Sequence, residues 1–187
     1  MIAVWIVIGI IVILIIAFIA IYNGLVRSRN QIKNAWAQID VQLKRRHDLI
    51  PNLVETVKGY MKHERQTMEA VTKARTIAQQ VASAGPGERA KAEGDLSSAL
   101  NRLLAVAERY PDLKASQNFL ALQEELASTE NKISFSRQFY NDSVLNYNNQ
   151  TQMFPSNIIA GMAGFKPGEF FEVTVAAEKE APKVSFT

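Results

Sequence analysis

The sequence predicts an all-α fold: an N-terminal transmembrane helix followed by an antiparallel up-and-down four-helix bundle with long helices. Three observations carry this. Ile2 to Tyr22 is a nearly unbroken apolar run, IAVWIVIGIIVILIIAFIAIY. The rest of the chain repeats apolar residues at three- and four-residue intervals, the period of a helix with one buried face. Strand-like alternation is confined to the short stretch Phe170-Phe171-Glu172-Val173-Thr174-Val175.

The apolar run is 21 residues long, enough for a helix to cross a hydrocarbon core of about 30 Å. Trp5 and Tyr22 lie near its ends, where aromatic rings sit between lipid and water. A cleaved signal peptide fits poorly. No Lys or Arg precedes the run, the apolar core is too long, and Ala17-Phe18-Ile19-Ala20 has the wrong spacing for cleavage. The first charged side chain is Arg27, followed by Arg29 and Lys33. The positive-inside rule then places the N-terminus outside and the helical domain in the cytoplasm. Ile2, Trp5, Tyr22, Arg27 and Arg29 are the expected anchor residues, with the lipid bilayer as partner.

Asn23-Gly24 is a break signal after the span. Beyond it Leu25, Ile32 and Ile39 recur every seven residues, as do Trp36 and Leu43, which predicts a first bundle helix over 25–46 with Trp36 in the core. Arg45-Arg46-His47-Asp48 interrupts the pattern and Pro51 suits a first helical turn. A turn is therefore expected at 46–50 and a second helix at 51–83, with Leu53, Val57, Met61, Met68 and Val71 on its stripe. Ser83-Ala84-Gly85-Pro86-Gly87 is the clearest loop. A third helix, 88–109, carries Leu96, Leu100 and Leu103, and Tyr110-Pro111 ends it. The fourth, 112–150, aligns Phe119, Leu122, Leu126, Thr129, Ile133, Tyr140 and Tyr147. At 1.5 Å per residue the first helix is about 33 Å long and the second about 50 Å, so an upright first helix would send the second back toward lipid. The chain is expected to bend at Asn23-Gly24; the alternative is that Pro51 only kinks one long helix. The resulting division is an anchor at 1–23, a bundle at 24–152, an apolar segment at 153–175 that packs on the bundle or the membrane, and a flexible polar tail at 176–187.

Composition narrows the chemistry. The net charge is +3 and the pI about 9.2, with Lys and Glu interspersed and no basic stripe, so nucleic acid is not an expected partner. The absence of Cys excludes disulfides and thiolate metal sites. His63-Glu64 opens a zinc-protease-like string, but Thr67 stands where the second His is required. Lys44 and Tyr60 lie three residues before the two histidines, so no Glu-x-x-His pair exists for a di-iron bundle. Glu124, Glu125 and Glu130 could supply carboxylates, yet Lys132 and Arg137 offer them ion pairs. No phosphate-binding or nucleophile-elbow motif occurs. The expectation is no enzyme: no catalytic, cofactor-binding or metal residues and no small-molecule substrate.

Two stretches remain as a candidate interaction surface. Lys44, Arg45 and Arg46 form the densest basic cluster, either a charged loop or a docking patch for an acidic partner. An upright first helix puts them about 30 Å from lipid, beyond about three Debye lengths, so Arg27 and Arg29 are the better headgroup contacts. Met153 to Phe165 is uncharged, apolar and too short to span. It either closes the bundle or meets the membrane interface or another subunit, through Ile158, Ile159 and Phe165. Tyr140, Asn141, Tyr147, Asn148 and Asn149 suit a polar bundle layer or a surface that pairs with another protomer.

Several motifs together resemble the bacterial LemA family: Tyr22-Asn23-Gly24-Leu25-Val26-Arg27, the run Ala35 to Arg46, Asp48-Leu49-Ile50-Pro51-Asn52-Leu53-Val54, Ala121 to Leu126 with Thr129-Glu130, Tyr140-Asn141-Asp142 and Phe154-Pro155-Ser156-Asn157. The likeness covers roughly residues 20–172, leaving out the tail after Val175. It implies an N-terminal anchor, a helical bundle, location in the bacterial cytoplasmic membrane and no assigned catalytic site. The expected function is that of a non-enzymatic scaffold or adaptor that assembles with proteins, including copies of itself, in membrane organisation. The alternatives are an accessory subunit of a membrane protease or transporter in envelope stress and, more remotely, a metal- or ligand-binding bundle. Fold and family alone do not decide among them.

Overall fold

A computed structural model describes residues 1–172. Six helices and no strand occur among them: α1 (Ile2–Lys58), α2 (Arg65–Gln80), α3 (Pro86–Ala107), α4 (Pro111–Lys114), α5 (Gln117–Gln152) and α6 (Ser156–Met162). The all-α expectation holds, and α1 is long and apolar enough to cross a membrane. The antiparallel four-helix arrangement is not confirmed: the described residues form six helices, two of them, α4 and α6, short. Of the strand-like stretch, 170–172 is not a strand; its remainder and the tail at 176–187 lie outside the described residues.

The largest correction concerns α1. The break at Asn23-Gly24 and the turn at 46–50 are absent, and one helix runs through both. Gly24 has open space around it, so its helical position costs only its propensity, about 1 kcal/mol relative to Ala. Pro51 stands inside the helix, at a cost of about 3 kcal/mol. Around it Leu49, Ile50, Leu53 and Val57 are all buried. Each contributes about 1.5–3 kcal/mol, so keeping the apolar stripe aligned outweighs the proline. The helix stops at Lys58, whose cation suits the C-terminal dipole, just before Gly59. Met61, fully buried, closes the turn that follows.

Two compact units are distinguishable, and α1 and α5 contribute to each. One comprises Met1–Leu43 and Asn131–Phe170. Its apolar span lies open along α1. Further on, α1 buries Leu25, Ala35, Ile39 and Leu43, and α5 buries Ile133, Tyr140, Val144 and Tyr147. The Trp36 ring packs 5.2 Å from that of Tyr140, but Trp36 is only partly buried and lies at the margin of the core it was expected to fill. Ile159 and Ala160 of α6 pack on Leu25 and Ile21.

The Tyr- and Asn-rich end of α5 has a specific task in this unit. The Tyr140 hydroxyl donates to the Glu169 carbonyl (2.9 Å) and that of Tyr147 to the Lys166 carbonyl (2.9 Å). The Asn148 amide donates to the Gly168 carbonyl (3.0 Å) and accepts from the Gly168 N–H (2.8 Å). These side chains hold the chain after α6 along the helix and supply hydrogen bonds its backbone lacks. Burial first, then the Glu169 charge, pushes the Tyr140 phenol above the ordinary tyrosine range.

The other unit comprises Lys44–Glu130 and the segment from Phe171. Its core joins Leu53 and Val57 of α1 to Leu96 and Leu103 of α3 and Phe119 and Leu126 of α5. Helix α2 packs on α3 and buries Val71 and Ala78. The expected loop at 83–87 lies two residues earlier, at 81–85, because Pro86 takes the first turn of α3 and Gly87 follows it within the helix. The expected helix 112–150 is divided: Pro111 opens the single turn α4, which buries Leu113, and α5 begins at Gln117.

Candidate functional site

The chemistry of the second unit concentrates in one buried cluster. Arg46 projects from α1 into the core and is 1% exposed. Its Nη1 donates to Ser97 Oγ of α3 (2.7 Å) and to Glu130 Oε2 of α5 (2.7 Å). Its Nη2 donates to the Glu93 carboxylate of α3 and to that residue's carbonyl (3.3 Å). The Ser97 hydroxyl donates to Glu130 Oε1 (3.1 Å), closing a ring of partners. His47 Nε2 lies 3.2 Å from Glu93 Oε1 and 3.3 Å from Oε2. The Arg46 Nε–H is buried and finds no acceptor among the described residues.

One cation thus ties α1, α3 and α5 together. Glu93 is nearly as buried as Arg46, whereas the Glu130 side chain is 47% exposed. Burial alone would raise the Glu93 carboxyl. The hydrogen bond from His47 and the charges of Arg46 and His47 outweigh it and hold the group below the ordinary carboxylate range. A buried pair of this kind adds little net stability over apolar packing, but removing one partner leaves an uncompensated charge.

A second contact explains how α1 tolerates Pro51. Proline has no N–H, so the carbonyl four residues earlier loses its helical donor. That carbonyl belongs to His47, and the Arg75 Nε of α2 donates to it at 2.7 Å. The guanidinium replaces the missing backbone donor, and α2 is fastened to α1 at the proline.

The sequence-predicted residues are distributed as follows. Ile2 and Trp5 lie exposed on the apolar run. The Tyr22 ring meets the Phe165 ring edge-on at 5.7 Å, and the Arg29 guanidinium lies 5.2 Å over the Phe165 ring; Arg27 is exposed. Lys44 is exposed, and Arg45 pairs with Glu125 at 2.7 Å. Arg46 does not belong to a surface patch: α1 continues through this position as helix, and the heptad phase turns it inward. Ile158 is exposed, but Ile159 faces the core and is likewise removed from the surface set. Glu125 and Glu130 take their partners from α1 through Arg45 and Arg46. His63 is exposed. Among the described residues no group of three or more His, Asp or Glu is placed to hold a metal ion. An open groove of about 700 Å³ runs between the end of α1 and α2, over Val54 and Met68. Its rim charges include the pairs Lys58–Glu55 (3.2 Å) and Arg65–Glu69 (2.6 Å).

The Arg46–Glu93–Glu130 cluster escaped the sequence reading, although a signal was present. Leu25, Ile32, Ile39, Arg46 and Leu53 form one unbroken series of sevens. A cation in an apolar heptad position calls for a buried carboxylate opposite, and Glu93 lies on the α3 stripe three residues before Leu96.

An all-α chain headed by a helix long and apolar enough to cross a membrane, with an ion cluster pinning its helices, is the class of protein defined here. The chain belongs to the LemA family, whose model matches residues 35–186. It is 26% identical to magnetosome protein MamQ 2 of Paramagnetospirillum magneticum over 88% of this chain and 71% of the relative. It is 29% identical to protein LemA of Metamycoplasma hominis over 74% of this chain and 63% of the relative. Magnetosome protein MamQ of Magnetospirillum gryphiswaldense is 24% identical over 84% and 66% of the two chains.

Proposed function

We propose that the protein is a non-enzymatic scaffold or adaptor held by a single span in the bacterial cytoplasmic membrane. Its helical domain faces the cytoplasm and presents helical faces to protein partners, including further copies of itself. One observation carries this reading: α1 is a single helix of 57 residues from the apolar run into the core of the domain. At 1.5 Å per residue it is about 85 Å long, of which about 30 Å is needed to cross lipid. A soluble catalyst needs only a loose tether. A helix that is anchor at one end and part of the packed helices further on keeps the faces it carries at the membrane, which is what assembly there requires. Relatives named for the magnetosome suit a role in building a cellular structure.

Photo-crosslinking from the full-length chain in native membranes tests this. A benzophenone side chain would replace Phe135, a 72% exposed aromatic of α5, or Val41, 62% exposed on α1. The expected result is a discrete light-dependent adduct of twice the chain's mass. A single stoichiometric adduct with a different protein would favour the accessory-subunit reading. Labelling no stronger than from a control at Gln79 would contradict both.

A further inference from the structure

Residues Met153 to Phe165 contain no charge, yet they are not sequestered. Phe154 is 79% exposed, Ile158 54% and Met162 76%. Ile158 and Met162 are spaced four apart on one face of α6, and Phe154 lies in the turn just before that helix. The opposite side of α6 is committed: Ile159 and Ala160 are buried against Leu25 and Ile21 of α1. That contact fixes where α6 lies. From Ile2 to Ile21 at 1.5 Å per residue is about 29 Å, the thickness of the hydrocarbon core. Helix α6 is therefore packed against the turn of α1 that leaves the lipid. The surroundings match a headgroup layer. Tyr22 meets Phe165 edge-on and Arg29 lies over the Phe165 ring, and Arg27 and Lys166 add exposed cations.

We propose that α6 is a second membrane contact, with Phe154, Ile158 and Met162 inserted into the interface of the leaflet where the α1 span ends, and Arg27, Arg29 and Lys166 on anionic headgroups. Exposed apolar side chains are disfavoured in water. Here the bilayer is the occupant that the position itself supplies. The span and α6 together make a two-point attachment, which restricts rotation of the chain about α1. This rests on α1 being the anchor, but not on which compartment holds the domain.

The test is spin-label depth measurement on the full-length chain in nanodiscs of phosphatidylcholine and phosphatidylglycerol. Single Cys substitutions at Met162, at Ile10 in the span and at Gln79 in α2 would carry the label; the chain has no other Cys. At Met162 the expected result is high collision with oxygen and several-fold lower collision with a water-soluble nickel chelate than at Gln79. Chelate accessibility equal to that at Gln79, with Ile10 still in lipid, overturns the α6 proposal alone. Shielding of Met162 from both reagents means that protein covers it and also overturns the proposal. Water exposure at Ile10 removes the anchor and the proposal together.

Discussion

Arg46 stands in a series where Leu25, Ile39 and Leu53 are buried apolar residues, and it keeps their inward direction. Its value to the fold lies in what is lost when it is cut away. Arg46→Met leaves Glu93 buried beside a neutral side chain and is expected to destabilise the chain by about 3–5 kcal/mol. Glu130→Gln breaks a pair with a half-exposed carboxylate and is expected to cost no more than about 1 kcal/mol. Urea unfolding of the detergent-solubilised protein, followed by helical circular dichroism, measures both. Similar costs for the two would mean that Arg46 is not buried as described. Combining Arg46→Met with Glu93→Leu should recover most of the loss, because the charge is then removed with its partner. The depressed Glu93 carboxyl sets a pH dependence. As pH falls, the unfolded chain takes up this proton first, so Glu93 adds stability that is full above the ordinary carboxylate range and is lost as pH falls through its lowered folded value. The wild type should lose more stability between neutral and acid pH than Glu93→Gln does. Identical acid limbs would show that His47 and Arg46 do not hold the carboxylate ionised. At this scale the sequence revealed the charges but not their direction. Lys44, Arg45 and Arg46 look alike in one dimension, and only the helical phase of an uninterrupted α1 turns one of them inward.

Among the elements, α1 shows where local signals yield to packing. Gly24 and Pro51 both read as breaks, and neither breaks the helix: Gly24 costs only its propensity, and around Pro51 the buried stripe of Leu49, Ile50, Leu53 and Val57 outweighs the proline. The proline penalty is further offset by Arg75, whose guanidinium serves the His47 carbonyl that Pro51 leaves without a donor. Arg75→Ala is expected to cost about 1–3 kcal/mol by stranding that carbonyl. In a Pro51→Ala background, where a backbone N–H returns, the same substitution should cost much less. A double-mutant cycle by urea unfolding reads the difference. Equal costs in the two backgrounds would show that Arg75 does not substitute for the missing donor. Other element boundaries were legible for local reasons. Gly85-Pro86 and Tyr110-Pro111 do mark helix starts, because there the proline occupies a first turn and removes no internal bond. The division between α4 and α5 left no comparable mark, since no Gly or Pro stands between Pro111 and Pro155.

For the whole molecule, the fold class, the apolar span and most core positions were readable from spacing alone, since burial and helical period leave a direct trace in the order of residues. Helix connectivity was not: Pro51 reads as a helix start but lies inside α1, whereas the expected helix 51–83 is interrupted between Lys58 and Arg65. The continuous helix α1 is the basis of the functional reading, and the proposed cytoplasmic side rests on the charges at Arg27, Arg29 and Lys33. The most direct test is compartment mapping in intact cells. Ser83→Cys, in the exposed loop before α3, supplies the chain's one thiol, and an impermeant maleimide is applied before and after permeabilisation. The expected result is protection until the cytoplasmic membrane is opened. Labelling in cells whose outer barrier alone has been made permeable would place the domain outside the cytoplasm and contradict the proposed cytoplasmic scaffold.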